Sequence, residues 1–396
     1  MTMAQFGALP GHGVCRQAFT AEDIAARKQL LAWAGRRGFD TATDAIGNLF
    51  VRREGVERAL PPVLTGSHMD SQPRGGRFDG IYGVLAGLEV LETLEETNVS
   101  TRHPVEVVAW TNEEGGRYEP GAMGSMVFTG ALALEDCLDI HDIAGVPLRD
   151  ALATTLTAVP RIEQRAFNTP VAAYVEAHIE QGPHLQTNGL PIGVVTGIQG
   201  SRWFTVEVSG ETGHAGTVPL KQRRDAFQSA IAIVNALNAH MHDPTDTVKF
   251  TIGRFDVAPN SPNSIADRVV FSIDFRHPDA GVLMRLGDSV PDMCRDAAGR
   301  TRVAVIETAT NAPCVFDARV VAAIEHAAAD LGLESMRLPS GAFHDAQQMN
   351  AVCPTGMIFV PCKDGISHSP AEYATPEHLA AGARVLAETL YRLANP

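Results

Sequence analysis

Residues 79–97 read DGIYGVLAGLEVLETLEET, and Ile81, Leu85, Leu88, Leu91 and Leu94 recur within them at three- and four-residue intervals. That spacing gathers apolar side chains on one face of an α-helix. On either side lie VLTG at 63–66 and VEVVAW at 105–110, short β-branched runs without alternation, as expected of strands covered on both faces. Strand, loop, helix, strand is a βαβ unit. It predicts an α/β sheet whose ligands collect at the carboxyl ends of the strands. The loop joining the first strand to the helix, GSHMDSQPRGGRFDG at 66–80, is therefore where chemistry is expected.

That loop carries His68, Asp70 and Asp79 among glycines that allow tight backbone turns. Further polar residues stand where other apolar runs end: Glu113 and Glu114 in AWTNEEGG (109–116), His178 in YVEAHIEQGP (174–183) and His368 in DGISHSPAEY (364–373). Imidazoles and carboxylates without thiolates suit zinc, manganese, cobalt or nickel. A pair of such ions needs one ligand that touches both, which a carboxylate can do through its two oxygens. No helical HExxH is present, so separate loops must converge. Taken singly, each residue has a structural explanation: His-x-Asp arises by chance, Glu-Glu is commonly a solvated pair, and a histidine near apolar residues is commonly a hydrogen-bonded core residue. The ordered combination is what points to a site.

Outside this unit, EDIAARKQLLAWAGRR (22–37) reads as an amphipathic helix with Ile24, Leu30, Leu31 and Trp33 on its apolar side. After GVVTGIQGSR (193–202) the pattern changes. WFTVEV (203–208) alternates with period two, and in VVFSIDFRHP (269–278) Phe271, Ile273 and Phe275 share one face while Ser272, Asp274 and Arg276 share the other. These are strands of a sheet covered on one side, with DAFQSAIAIVNALNAHM (225–241) as a helix between them. From about residue 316 helical and short apolar segments return, ending in TPEHLAAGARVLAETLYRL (375–393), where Thr375 is placed as N-cap and Pro376 at the first helical position. The expected organisation is α/β: a mixed-sheet domain carrying the candidate metal ligands (residues 1–200 and 314–396) with an inserted α+β module (201–313).

At 396 residues the chain exceeds the size at which one core keeps growing. Its formal charge of −14 argues against nucleic acid or an anionic membrane as partner, so an anionic substrate needs a local cationic anchor. The start, MTMAQFGALPGHGVCRQ, lacks the basic end and apolar core of a signal peptide, and no run has the length of a membrane span; the expected location is cytoplasmic. The six cysteines are scattered without a CxxC pair and are read as free, buried, inert thiols.

The ordered set GSHMDSQPRGGRFDG, TNEEGG, EAHIEQGP, SGETGHAGTVP, DFRHP and DGISHSPAEY resembles the hydantoinase/carbamoylase amidases. That family holds N-carbamoyl-L-amino-acid hydrolases, the bacterial and fungal type of β-ureidopropionase and allantoate amidohydrolases, within the clan of dinuclear zinc aminoacylases and exopeptidases. The resemblance runs from DAIGNL at 44–49 to the last helix. It implies two divalent metals per subunit: His68, Asp79 and His178 on one, Asp79, Glu114 and His368 on the other, with Asp79 bridging. It leaves Glu113 as general base and Asp70 as the group that orients His68 and fixes its tautomer. It also implies a homodimer in which His214 reaches the partner's active site as oxyanion donor, with Gln181, Asn263, Arg276 and Gly341 among the substrate contacts. Arg276 offers a planar fork suited to the substrate carboxylate. Closure about hinges near TGIQGS and TNAPC is expected to bring the module's residues to the metals.

The implied reaction is hydrolysis of an N-carbamoyl-L-amino acid to the amino acid, carbon dioxide and ammonia. N-carbamoyl-β-alanine and allantoate are the alternative substrates, followed by an aminoacylase or peptidase substrate and, last, a noncatalytic binding role. His178 stands where the exopeptidases and deacylases usually carry an acidic residue, which favours the carbamoylase branch. Two positions depart from the family pattern: Phe343 in SGAFHDA, where glycine is usual, and Cys362 in VPCKDG, where serine is usual.

Overall fold

The computed structural model describes residues 1–160 and 162–396. The chain divides into two compact units, Met1–Gly197 with Val315–Pro396, and Ile198–Cys314.

The first unit is built on a ten-stranded mixed sheet. Its main strands are β1 (Asp40–Thr43), β2 (Leu49–Arg53), β3 (Val63–His68), β4 (Val105–Trp110), β5 (Ala173–Ile179), β6 (Ile192–Ile198) and β7 (Thr355–Val360). They lie in the order β6-β7-β5-β3-β4-β2-β1. The four central strands, β7, β5, β3 and β4, are mutually parallel, and every residue in them is buried. This explains their continuous apolar character: helices cover both faces, so neither face needs polar side chains. Because the strands run parallel, their carboxyl ends share one edge. His68 pairs with Trp110 and His178 with Phe359 at that edge.

Four helices of this unit matter below: α1 (Ala21–Arg37), α2 (Ile81–Glu96), α3 (Asp345–Met349) and α4 (Pro376–Ala394). α2 is the crossover helix of the βαβ unit and packs on β3 and α4. It buries Ile81, Val84, Leu88, Leu91 and Leu94, each worth about 1.5–3 kcal/mol relative to exposure. Thr375 caps α4 by accepting from the amide of His378 at 3.2 Å, with Pro376 in the first turn.

α1 departs from its expected face. Leu30 and Leu31 are buried, but Ile24 and Trp33 are only partly covered, and Asp23 and Arg27 lie inside. Those two form an ion pair at 2.9 Å, and Arg27 also donates to the Gly47 carbonyl and to Thr111. A charged pair one turn apart is satisfied internally, so the face reads polar in sequence yet is buried.

The second unit holds a five-stranded antiparallel sheet. Its strands run in the order Lys249–Thr251, Arg268–His277, Gly200–Ser209, Arg302–Asn311, with Phe255–Ala258 also paired to Arg268–His277. Along Gly200–Ser209 burial alternates residue by residue. Phe204, Val206, Phe271, Ile273 and Phe275 join Ile233 and Val290 of the helices Ala226–His240 and Ala280–Ala297 in one core. A separate ribbon pairs Gly213–His214 with Ser264–Ile265.

All six cysteines are free. Cys137, Cys294, Cys353 and Cys362 are buried, whereas Cys15 and Cys314 are partly exposed, a correction to the expectation that all six are enclosed.

Candidate metal centre

The loops that follow the central parallel strands bring their imidazoles and carboxylates together. His68 ends β3, and Asp79 and Gly80 close the loop that returns into α2. Gly80 has φ 64°, and a Cβ there would lie 2.3 Å from the His68 ring. Glycine is thus required both for the left-handed turn and for the close approach. Glu113 and Glu114 follow β4, His178 is the penultimate residue of β5, and His368 follows β7.

Asp79 stands at the centre. Its Oδ1 lies 3.1 Å from His178 Nε2 and 3.9 Å from His68 Nε2, while its Oδ2 lies 3.1 Å from His368 Nε2. His368 Nε2 is also 3.4 Å from Glu114 Oε2. Two donor groups therefore share Asp79: His68 with His178, and Glu114 with His368. One carboxylate facing two donor sets through separate oxygens fits a pair of divalent cations. The donors are nitrogen and oxygen only. The first group is wholly buried, whereas in the second the Glu114 side chain is 4% and that of His368 49% exposed. The first donor group lies inside the protein, and the second reaches solvent through His368.

A third cluster, Glu176, His178 and His344, is equally compact and buried. Its donors are already engaged. Glu176 accepts from Ser67 Oγ at 2.6 Å, from Ala346 N at 2.9 Å and from Tyr174 OH at 3.3 Å, and His344 Nε2 meets Ser340 Oγ at 2.9 Å. This polar layer underlies the centre and fixes α3 to β5.

Asp70 meets His68 through its backbone and not its side chain. His68 Nδ1 is oriented by the backbone carbonyl of Asp70 at 3.0 Å, while the Asp70 carboxylate stands 3.8 Å away. That carboxylate instead accepts the amides of Glu113 at 3.2 Å and Glu114 at 3.1 Å. A carbonyl serves the histidine equally well, since it needs only an acceptor for Nδ1–H, and it frees the carboxylate to hold the next loop.

Several supporting residues escaped sequence reading. Gln72 donates to Glu114 Oε2 at 2.7 Å and its amide to Oε1 at 3.0 Å. Glu372, 1% exposed, accepts the amides of Phe78 at 2.8 Å and Asp79 at 3.1 Å and the hydroxyl of Ser367 at 3.0 Å. Ser367 in turn meets Asp79 Oδ2 at 3.0 Å. The one available signal was position: Glu372 stands within the same motif as His368.

Burial is the largest influence on the charges here. It pushes Glu113 well above the usual carboxylate range, and the neighbouring Asp345, Glu114, Asp70 and Asp79 add to the effect. It likewise raises Glu114, to about 8, with help from Asp79. Asp79 goes the other way: hydrogen bonds from His178 and His368 overcome its burial and hold it well below that range. Burial lowers His68 to about 4, whereas contact with Asp79 lifts His178 to about 9 against its burial. Glu113 Oε2 lies 3.4 Å from His68 Nε2, beside the buried metal position.

The remaining candidates are placed as follows. Gln181, with φ 57°, donates to Asp79 Oδ2 at 3.1 Å and approaches Ser367 and His368. Gly341 lies between Ser340 and Ala342, whose backbone the Ser340 hydroxyl closes into a turn, and Phe343 beside it is 37% exposed. In the second unit, His214 is exposed and pairs with Ser264, the neighbour of Asn263. Arg276 forms an ion pair with Asp274 on the same strand face at 2.9 Å. Among the described residues no helix is long and apolar enough to cross a membrane.

Residues 64–392 match the model of peptidase family M20/M25/M40. The chain is 40% identical to an N-carbamoyl-L-amino acid amidohydrolase of Geobacillus stearothermophilus, over 100% of this chain and 97% of that protein. It is 34% identical to an allantoate amidohydrolase of Bacillus subtilis, over 99% and 95% respectively. Among solved structures, a hydantoinase/carbamoylase family amidase from Burkholderia multivorans superposes with TM-score 0.94 at 42% identity, over 100% of this chain and 96% of that one.

Proposed function

The chain belongs to peptidase family M20/M25/M40, and from that premise we propose that it is a two-metal amidohydrolase cleaving an N-carbamoyl-L-amino acid to the amino acid, carbon dioxide and ammonia. The observation that carries this reading is Asp79, which turns one oxygen to His68 and His178 and the other to His368 beside Glu114, with Glu113 against the buried position.

Two divalent ions held by these residues would lower the pKa of a bound water and polarise the carbonyl under attack. The protein's own part follows from its geometry. Glu113, with its affinity for protons raised by burial, takes a proton from the attacking water and delivers it to the departing nitrogen. Asp70 fixes the backbone that presents it. Gln72 and Glu372 hold Glu114 and the Asp79 loop in place, as residues behind metal ligands generally do.

To the second unit we assign His214 as oxyanion donor and Asn263 and Arg276 as substrate contacts, with Gln181 and Gly341 from the first. An acidic chain needs such a cation to hold an anionic substrate, and guanidinium matches carboxylate in shape. Zinc is the metal we assign, with manganese, cobalt or nickel accepted by the same donors. The working form is a cytoplasmic homodimer. An allantoate or N-carbamoyl-β-alanine substrate is the second reading, favoured by the allantoate amidohydrolase among the relatives.

The test is reconstitution with each metal separately, followed by ammonia release from N-carbamoyl-L-methionine, N-carbamoyl-β-alanine and allantoate side by side. Preference for the first supports the proposal. No release from any of the three, with two metals bound, would move the substrate to an acylated amino acid or peptide.

A further inference from the structure

A cavity of about 770 Å³ lies between α2 and α4, and none of the metal-centre residues lines it. Ile81, Ala86, Leu379 and Ala383 give it apolar walls, and its size is within the range of about 300–1,000 Å³ typical of small-molecule sites. Three charged residues reach it: Glu89, Arg384 and Arg77. Glu89 and Arg384 are exposed and opposite in sign. Arg77 differs. Its Nε is buried and has no hydrogen-bond partner, and its guanidinium lies 5.5 Å from the centre of the Phe78 ring.

With Nε closed off, the Nη end of the guanidinium is what a ligand oxygen would meet. A guanidinium presents parallel donors that fit both oxygens of one carboxylate. One such group next to hydrocarbon walls selects a single negative charge carried on an apolar chain. We propose that this cavity is a second ligand site, for a medium-chain aliphatic monocarboxylate whose head pairs with Arg77 and whose tail lies between α2 and α4. Arg77 is two residues before Asp79, and Tyr373, which also lines the cavity, follows Glu372. A bound ligand therefore touches both segments that meet at the bridging carboxylate.

The experiment is isothermal titration of the metal-loaded protein with octanoate, with 1-octanol and butyrate as the uncharged and short-chain comparisons. The expected result is one octanoate per chain, bound at least about tenfold more tightly than either comparison: a charge-assisted contact separates it from 1-octanol, and four further buried methylenes separate it from butyrate. Arg77→Met is expected to reduce octanoate to the level of 1-octanol, and Ala383→Leu, which fills the cavity, to weaken both. Circular dichroism checks that the variants fold. Equal affinity for octanoate and 1-octanol overturns the proposal, as does undiminished octanoate binding in Arg77→Met, which would place the carboxylate on the metals instead.

Discussion

Glu372 accepts the backbone amide of Asp79 at 3.1 Å across 293 residues of sequence. With Phe78 N and Ser367 Oγ on the same carboxylate, this one buried side chain ties the loop bearing Asp79 to the loop bearing His368. Glu372→Ala would leave two buried amides without acceptors, at about 1–3 kcal/mol each. Metal affinity is expected to fall roughly 10–100-fold, the range for residues that hold ligands in place. Competition with a chelator measures this, and excess metal should restore turnover.

The two donor groups differ in exposure, so the metals proposed there should leave at different rates. Chelation is expected to remove metal in two kinetic phases, the fast one from the side of Glu114 and His368. His368→Ala should bind one metal with high affinity and lose most activity. A single phase, or loss of both metals from this variant, would contradict the assignment of an inner and an outer position.

Metal binding should strengthen as pH rises. In the metal-free protein contact with Asp79 lifts both His178 and His368 to about 9, so below that pH each carries a proton that a cation must displace. His68, lowered by burial to about 4, is already neutral. Each displaced proton weakens apparent affinity about tenfold per pH unit on going down from pH 9. Metal titrations between pH 6 and 9 give the slope, and a flat profile would refute the coupling.

Glu113→Gln keeps the size and burial of the side chain but removes the proton acceptor. A loss of about 10²–10⁴ in kcat is expected, with two metals still present by elemental analysis. Loss of metal alongside activity would make Glu113 a ligand and not the base.

Arg276→Ala should raise KM sharply and leave metal content unchanged. A carboxylate held by guanidinium contributes about 1.5–3 kcal/mol, which corresponds to roughly ten- to a hundredfold in affinity. An unchanged KM would remove Arg276 from the substrate site.

The sheet and the convergence of His68, Asp79, Glu114, His178 and His368 were legible in the sequence for one physical reason. β3, β4 and β5 are buried on both faces, so their apolar runs stop abruptly where the backbone reaches the functional edge, and His68, Glu113 and His178 stand near those stops. What holds the ligands was not legible. Glu372 and Gln72 act on partners in other loops, and the contact between Asp70 and His68 passes through a carbonyl that every residue possesses. The buried face of α1 was misread because Asp23 and Arg27 satisfy each other.

Adjacent residues ordinarily send their side chains in different directions, yet Glu113 and Glu114 both turn toward the centre. They are bracketed by Asn112 at φ 55° and Gly115 at φ 64°, and one carboxylate, Asp70, grips both of their amides. The proposed base and the proposed metal ligand are consequently one mechanical part. Whatever displaces the loop moves them in step, so the spacing between the Glu113 and Glu114 carboxylates is carried by a single peptide unit. A lineage can reshape what it binds without having to realign what it does.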